Sequence, residues 1–193
     1  MDKEKILHTW SEEIEKDFQH MHPKVLEKRR QIKEGANQLT IWLGGPGRDH
    51  DLFPLRELLK EFLAKEGFEV IFSEDYQGGA DLASKEIEEI EALDMVIILS
   101  ITAGASAEAI EFAHLPDVRP KLWVYVPIEY KNGYVCRSLF GRHRFIAEDS
   151  FFSLGSFRNC DPELAVKLMR RAIVQRNSLY RKEKLRNCED CFQ

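Results

Sequence analysis

The chain has 193 residues, of which 44% are apolar and 32% charged, and it carries a net charge of −5. That length supports one core with extensions rather than two comfortable domains, and the composition excludes a disordered chain. The acidic balance excludes a general attraction to nucleic-acid polymers but leaves open a small nucleotide, which needs only a local helix dipole and an arginine. Residues 1–5 lack the long apolar run of a signal peptide, and no apolar stretch approaches membrane-spanning length, so a cytoplasmic protein without membrane contact is expected. Cys136, Cys160, Cys188 and Cys191 then read as free thiols. Cys188 and Cys191 have zinc-knuckle spacing, but no second pair accompanies them, and no metal is expected.

In residues 5–18, Ile6, Leu7, Trp10, Ile14 and Phe18 recur at helical spacing. A break at His22-Pro23 precedes a second helical stretch through Val25, Leu26 and Ile32 that ends near Gly35. The bases Lys24, Lys28, Arg29, Arg30 and Lys33 read as a solvated face of that second helix. Residues 1–38 thus form a helical extension. Its apolar stripe must dock on the main domain or on a second subunit, and a homo-oligomer is expected.

Residues 39–187 read as one α/β domain. Residues 39–43 predict a strand, followed by the loop Gly44-Gly45-Pro46-Gly47-Arg48 and a helix over 52–66 with the stripe Leu55, Leu58, Leu59 and Phe62, closed by Gly67. Residues 68–72 predict a second strand, 81–93 a helix, 95–100 a third strand, 104–114 a helix and 121–126 a fourth strand stopped by Pro127. Strands alternating with helices predict a parallel sheet, and the continuously apolar run at 95–99 predicts helices on both faces. The expected architecture is an open Rossmann/flavodoxin-like three-layer sandwich. The Asn132-Gly133 pair predicts a β-hairpin insertion over 128–139, residues 143–147 a return to the sheet, and Asp161-Pro162 the start of a long closing helix. Residues 188–193 read as a flexible tail.

In an open parallel sheet, ligands bind beyond the carboxyl ends of the strands. Three loops lie there. The first, Gly44, Gly45, Pro46, Gly47 and Arg48, can turn backbone N–H groups and a guanidinium toward a phosphate, although it lacks the Lys-Ser/Thr of a P-loop. The second supplies Glu74, Asp75 and Tyr76, where acids commonly accept ribose hydroxyls. The third places Gly104, Ser106 and Glu108 around a helix start, with Glu108 expected in the first turn. Glu108 there suits a nucleophile; a Ser/Thr cap with a nearby acid is equally a purely structural arrangement.

Taken together, the loops resemble the nucleoside 2-deoxyribosyltransferase-like superfamily, which includes 2′-deoxynucleoside 5′-phosphate N-hydrolases and, more distantly, TIR domains and lysine-decarboxylase-like phosphoribohydrolases. The resemblance covers roughly residues 39–126. It rests on the strand running into Gly44-Gly45-Pro46-Gly47-Arg48, on Asp94 before Met95-Val96-Ile97-Ile98-Leu99, and on Gly104 four residues ahead of Glu108, with Ala113 further along. Ala103 and Ile110 stand where family members usually carry an aspartate and a second glycine. The resemblance implies cleavage of an N-glycosidic bond in a nucleoside or nucleotide without a cofactor, with Glu108 at the anomeric carbon. Asp75 or Glu74 is the nearest candidate to protonate the departing base, and Asp94, Gly104 and Ser106 would join the binding loop. A TIR-like NAD hydrolase and a non-catalytic nucleotide-sensing module are the alternatives.

Overall fold

The computed structural model describes residues 2–35, 38–75, 87, 89–140 and 150–189. Helices α1 (Lys3–Gln19) and α2 (Pro23–Gly35) precede strand β1 (Thr40–Gly44) and helix α3 (Phe53–Lys65). Strands β2 (Glu69–Ile71) and β3 (Met95–Leu99) follow, then helix α4 (Ala103–Phe112), strand β4 (Leu122–Pro127) and helix α5 (Tyr134–Phe140). A two-residue strand β5 (Phe151–Phe152), a short helix α6 (Leu154–Arg158) and the long helix α7 (Pro162–Glu189) complete the described chain.

The five strands form one sheet in the order β2-β1-β3-β4-β5, and every pair is parallel. This is the Rossmann/flavodoxin-like order, in which the winding direction reverses between β1 and β3. Because successive side chains on a strand point to opposite faces, the alternation divides the core in two. Ile41, Leu43, Met95, Ile97 and Leu99 join one cluster with α1, α3 and α7. Trp42, Val96, Ile98, Val124 and Val126 join the other with α4 and α5. β3 is buried along its whole length, as a strand covered on both faces must be.

The amino-terminal extension docks on its own chain. Asp2 caps α1 by accepting the Glu4 N–H, and Leu7, Trp10 and Ile14 are buried against α3 and α7. The Trp10 ring meets Phe62 edge-on at 5.4 Å, and its Nε1–H donates to the Cys160 carbonyl at 2.9 Å. Asp161 caps α7, its Oδ1 accepting the Glu163 N–H at 2.9 Å, and Leu164, Leu168 and Ala172 are buried as their spacing requires.

The segment after β4 differs from expectation. Residues 128–139 do not form a β-hairpin. Residues 128–130 make a 3₁₀ turn in which Lys131 N donates to Ile128 O and Gly133 N to Tyr130 O, and helix α5 follows at once. The physical reason is spacing. Cys136 and Leu139, three residues apart, both enter the cluster under α4, a helical period that alternating strands cannot match. The expected strand at 143–147 and most of the expected helix at 81–93 lie outside the described residues, although residues 89–92 are helical. Of the expected flexible tail, residues 188 and 189 continue α7, and residues 190–193 lie outside the described residues. Among the described residues no helix is long and apolar enough to cross a membrane.

Trp10→Ala removes a fully buried ring and leaves the Cys160 carbonyl without its donor. Chemical denaturation should show a loss of about 3–5 kcal/mol. A loss below about 1 kcal/mol would mean that α1 contributes little to the folded state.

Candidate functional site

The reversal between β1 and β3 places the ends of these two strands side by side, with Gly44 paired to Ile98. Gly44 continues the face of β1 that carries Trp42, where the next side chain would enter the layer beneath α4. A Cβ built there would lie 3.2 Å from Glu108 Oε2, 3.3 Å from Ile98 Cγ1 and 3.5 Å from Trp42 Nε1. The missing side chain at Gly44 is therefore the space that the Glu108 carboxylate occupies. The Oε2 atom is buried.

Glu108 reaches this position from farther along α4 than the sequence suggests. Thr102 is the N-cap, its hydroxyl accepting the Ala105 N–H at 3.2 Å. The first turn therefore holds no acid, and Glu108 lies in the second. Helical side chains lean toward the helix N-terminus, which carries the carboxylate back to the end of β1. The turn from β3 into α4 is fixed by hydroxyls. Ser106 Oγ donates to Thr102 O at 2.7 Å and lies 2.8 Å from the buried Ser100 Oγ, so Ser100 is the donor of that second bond. Ser106 thus shapes the turn. Gly104 is exposed, with open space where its side chain would be.

The opposite face of the same loop is held by Arg56, which sequence reasoning passed over. Its side chain is fully buried in α3. One terminal nitrogen donates to Pro46 O at 2.8 Å and Glu74 Oε1 at 2.7 Å, and the other donates to Leu43 O at 2.7 Å and Glu74 Oε2 at 3.0 Å. The guanidinium also lies 4.5 Å from the Phe72 ring centroid, a favourable cation–π distance. Gly45 makes room for it. With φ at +155° and a virtual Cβ 3.1 Å from Leu99 Cβ and 3.2 Å from Arg56 Cδ, only glycine fits that position without strain. A signal for Arg56 existed in the sequence: it interrupts an apolar helical stripe, four residues after Leu52 and three before Leu59.

The remaining candidates divide. Pro46 is buried and Gly47 exposed, with Glu74 Oε1 3.8 Å from a Cβ built at Gly47. Arg48 is exposed and turns toward the end of β2, 3.5 Å from Glu74 O and 3.6 Å from Asp75 Oδ1. Asp75 Oδ2 accepts from Lys60 at 3.0 Å and from Phe72 N at 3.1 Å. Burial is the largest single influence on Asp75 and acts to raise its pKa, but Lys60, the Phe72 N–H and Arg48 together hold it below the ordinary aspartate value. An acid kept as its anion is unsuited to protonating a leaving base. Glu74 gives both oxygens to Arg56. Asp94 lies at the other end of the sheet: Thr40 N and Oγ1 both donate to its Oδ2, at 2.9 and 3.1 Å, where β1 and β3 begin. By strand rise that is roughly 13 Å from the end of β1 and roughly 17 Å from the end of β3, so Asp94 staples the strands and does not line the crevice. Tyr76 lies outside the described residues. The structure thus joins Gly44, Gly45 and Glu108, and directs Glu74 and Asp75 to cations on α3 and the loop.

No protein-family model matches this chain, and the comparison with curated proteins gives no match.

Two measurements check this geometry. Gly44→Ala should destabilise the fold by about 1–3 kcal/mol through overpacking, and Glu108→Ala in the same chain should recover part of that loss. A coupling smaller than about 0.3 kcal/mol in the double-mutant cycle would mean that the two positions do not touch. NMR titration should find Asp75 with a midpoint below the ordinary aspartate value, moving upward in Lys60→Ala. Because the folded-state value is the lower one, the stabilisation from Asp75 is present at neutral pH and is lost as pH falls through the acidic range. An ordinary midpoint, unmoved by Lys60→Ala, would count against the ion pair.

Proposed function

We propose that the crevice between β1 and β3 receives a nucleoside or nucleotide and that Glu108 acts at the anomeric carbon to cleave its N-glycosidic bond. The observation that carries this reading is the carboxylate led from the second turn of α4 into the gap left by Gly44, at the point where connections diverge from a parallel sheet. Cleavage passes through an oxocarbenium-like state in which positive charge grows on the sugar ring. The C1′–N bond breaks and the base leaves with the electron pair. An ionised Glu108 stabilises the charge or forms the new C1′–O bond, and water or another acceptor then completes the exchange. The backbone of Gly45, Pro46 and Gly47 is the supporting surface for a 5′-phosphate.

A second reading within this class is favoured by one observation. Glu74 and Asp75, the acids nearest in topology, are both held by cations. A substrate whose base leaves as a neutral molecule needs no proton from the protein. The nicotinamide–ribose bond of NAD is of that kind, whereas an ordinary nucleoside benefits from an acid.

Incubation with nucleosides, nucleotides and NAD, followed by chromatography for free base, tests both readings. Glu108→Gln should lower base release by about 100-fold or more, the scale of losing a major electrostatic group. Glu111→Gln, exposed on the same helix, should stay close to wild type. Equal rates in both variants, or no base released from any substrate, would make α4 architectural and favour a non-catalytic nucleotide-sensing module.

A further inference from the structure

Away from the sheet, α2 and α7 leave an open trough of about 750 Å³ between them, closed at one end by Asp17 and Phe18 of α1. The α2 wall presents Lys24, Val25, Lys28 and Ile32, and the α7 wall Arg170, Ile173, Val174, Asn177 and Arg181. Each set follows helical spacing, so two helix faces run side by side, and among the described residues no third helix lies across them. Met21, Val25 and Val174 are 40%, 52% and 65% exposed, three of the six most exposed large apolar side chains among the described residues. Scattered apolar residues need no explanation, but three gathered over a shared floor of Phe18, Ile32 and Ile173 do.

The rim decides what fits. Lys24 and Lys28 stand along one wall, with Arg170 and Arg181 at the two ends of the other. The single acid in the lining, Asp17, is already bound by Arg170. A net charge of −5 makes this a local reversal of the chain's overall sign. From Arg170 to Arg181 the trough spans roughly 16 Å, or three helical turns. Cations spread along that length suit a ligand that carries several negative charges beside an apolar stripe, whereas a fatty acid offers one charge at one end. A second copy of this chain is a poor occupant. Among the described residues the apolar stripes of α1, α3, α4 and α5 are taken up by the two core clusters, which leaves the faces of α2 and α7 in the trough itself as the helix surface a second copy could offer. Two troughs face to face would oppose cations with cations.

From these features we infer that the trough between α2 and α7 is a docking site for an acidic amphipathic helix of a partner protein. Its apolar residues at i, i+3, i+4 and i+7 would cover Val25 and Val174, and its flanking carboxylates would meet Lys24, Lys28 and Arg181. The inference does not depend on the chemistry proposed for Glu108.

The test uses the full chain and a fluorescein-labelled synthetic helix of about 16 residues, long enough to cross the trough, with leucines at that spacing and glutamates beside them. A counterpart carries lysine in place of each glutamate. Fluorescence anisotropy should show the acidic peptide binding at least about tenfold more tightly than the basic one, and Val174→Asp should weaken it by about tenfold or more. Lys24→Glu with Lys28→Glu should transfer the preference to the basic peptide. All three positions are lined by solvent, and circular dichroism verifies that the variants fold. Equal binding of the two peptides, or binding unaffected by Val174→Asp, would overturn the inference. So would a fall in sedimentation mass on Val174→Asp in the protein alone, which would give the trough to a second copy. Dodecanoate bound in a Val174-dependent way, with neither peptide bound, would give it to a lipid and overturn the inference as well.

Discussion

The end of β1 is held from both faces of the sheet by long polar side chains, and most of the candidate site follows from that constraint. From one side Arg56, buried in α3, ties the carbonyls of Leu43 and Pro46 to the carboxylate of Glu74. From the other, Glu108 presses its carboxylate against Gly44. Burying a guanidinium is costly unless its donors are satisfied. Here the two terminal nitrogens are satisfied by groups that the chain must bring together: one strand end, one loop and the 3₁₀ turn Ser73–Asp75 that follows β2. Removing Glu74 would leave a buried cation and would also free the loop, so the pair fixes the position of the backbone that a ligand would meet.

Two adjacent glycines make this double approach possible, for different reasons. Gly44 has ordinary backbone geometry and is needed for space, while Gly45 is needed for its φ and for the close packing of Arg56 and Leu99. A sequence motif of glycines after a strand is commonly read as a phosphate cradle. In this chain each glycine first serves a contact made by a charged residue, and any cradle is a consequence of the loop shape that results. The hydroxyls of Ser100, Thr102 and Ser106 perform the matching task on the neighbouring strand by fixing the turn that launches α4.

The layered architecture was legible because buried strands are apolar throughout and helices keep their stripes: Met95–Leu99 and the stripe through Leu55, Leu58 and Phe62 announce their environment. The three loops at the carboxyl ends were legible from topology alone. What was not legible depends on contacts between residues distant in sequence. Asp94 precedes its strand as an active-site residue might, but its carboxylate bonds Thr40 at the opposite end of the sheet. Asp75 looks available until Lys60, from the preceding helix, is placed beside it. Asn132-Gly133 favours a hairpin locally, and burial of Cys136 and Leu139 overrides it. Glu108 was identified by position, yet its distance along α4 depended on Thr102, rather than a later residue, being the cap.

The role proposed for Glu108 depends on where a sugar sits relative to its carboxylate. A crystal structure of the protein with a slowly cleaved 2′-fluoro nucleotide analogue measures that directly. The sugar ring is expected beside Glu108 at the end of β1, with its anomeric carbon about 3–3.5 Å from a carboxylate oxygen, the separation of a reactive pair. The analogue bound elsewhere, for instance over Arg48 and Lys60 on the outer face of α3, with no atom of it near Glu108, would contradict the proposal.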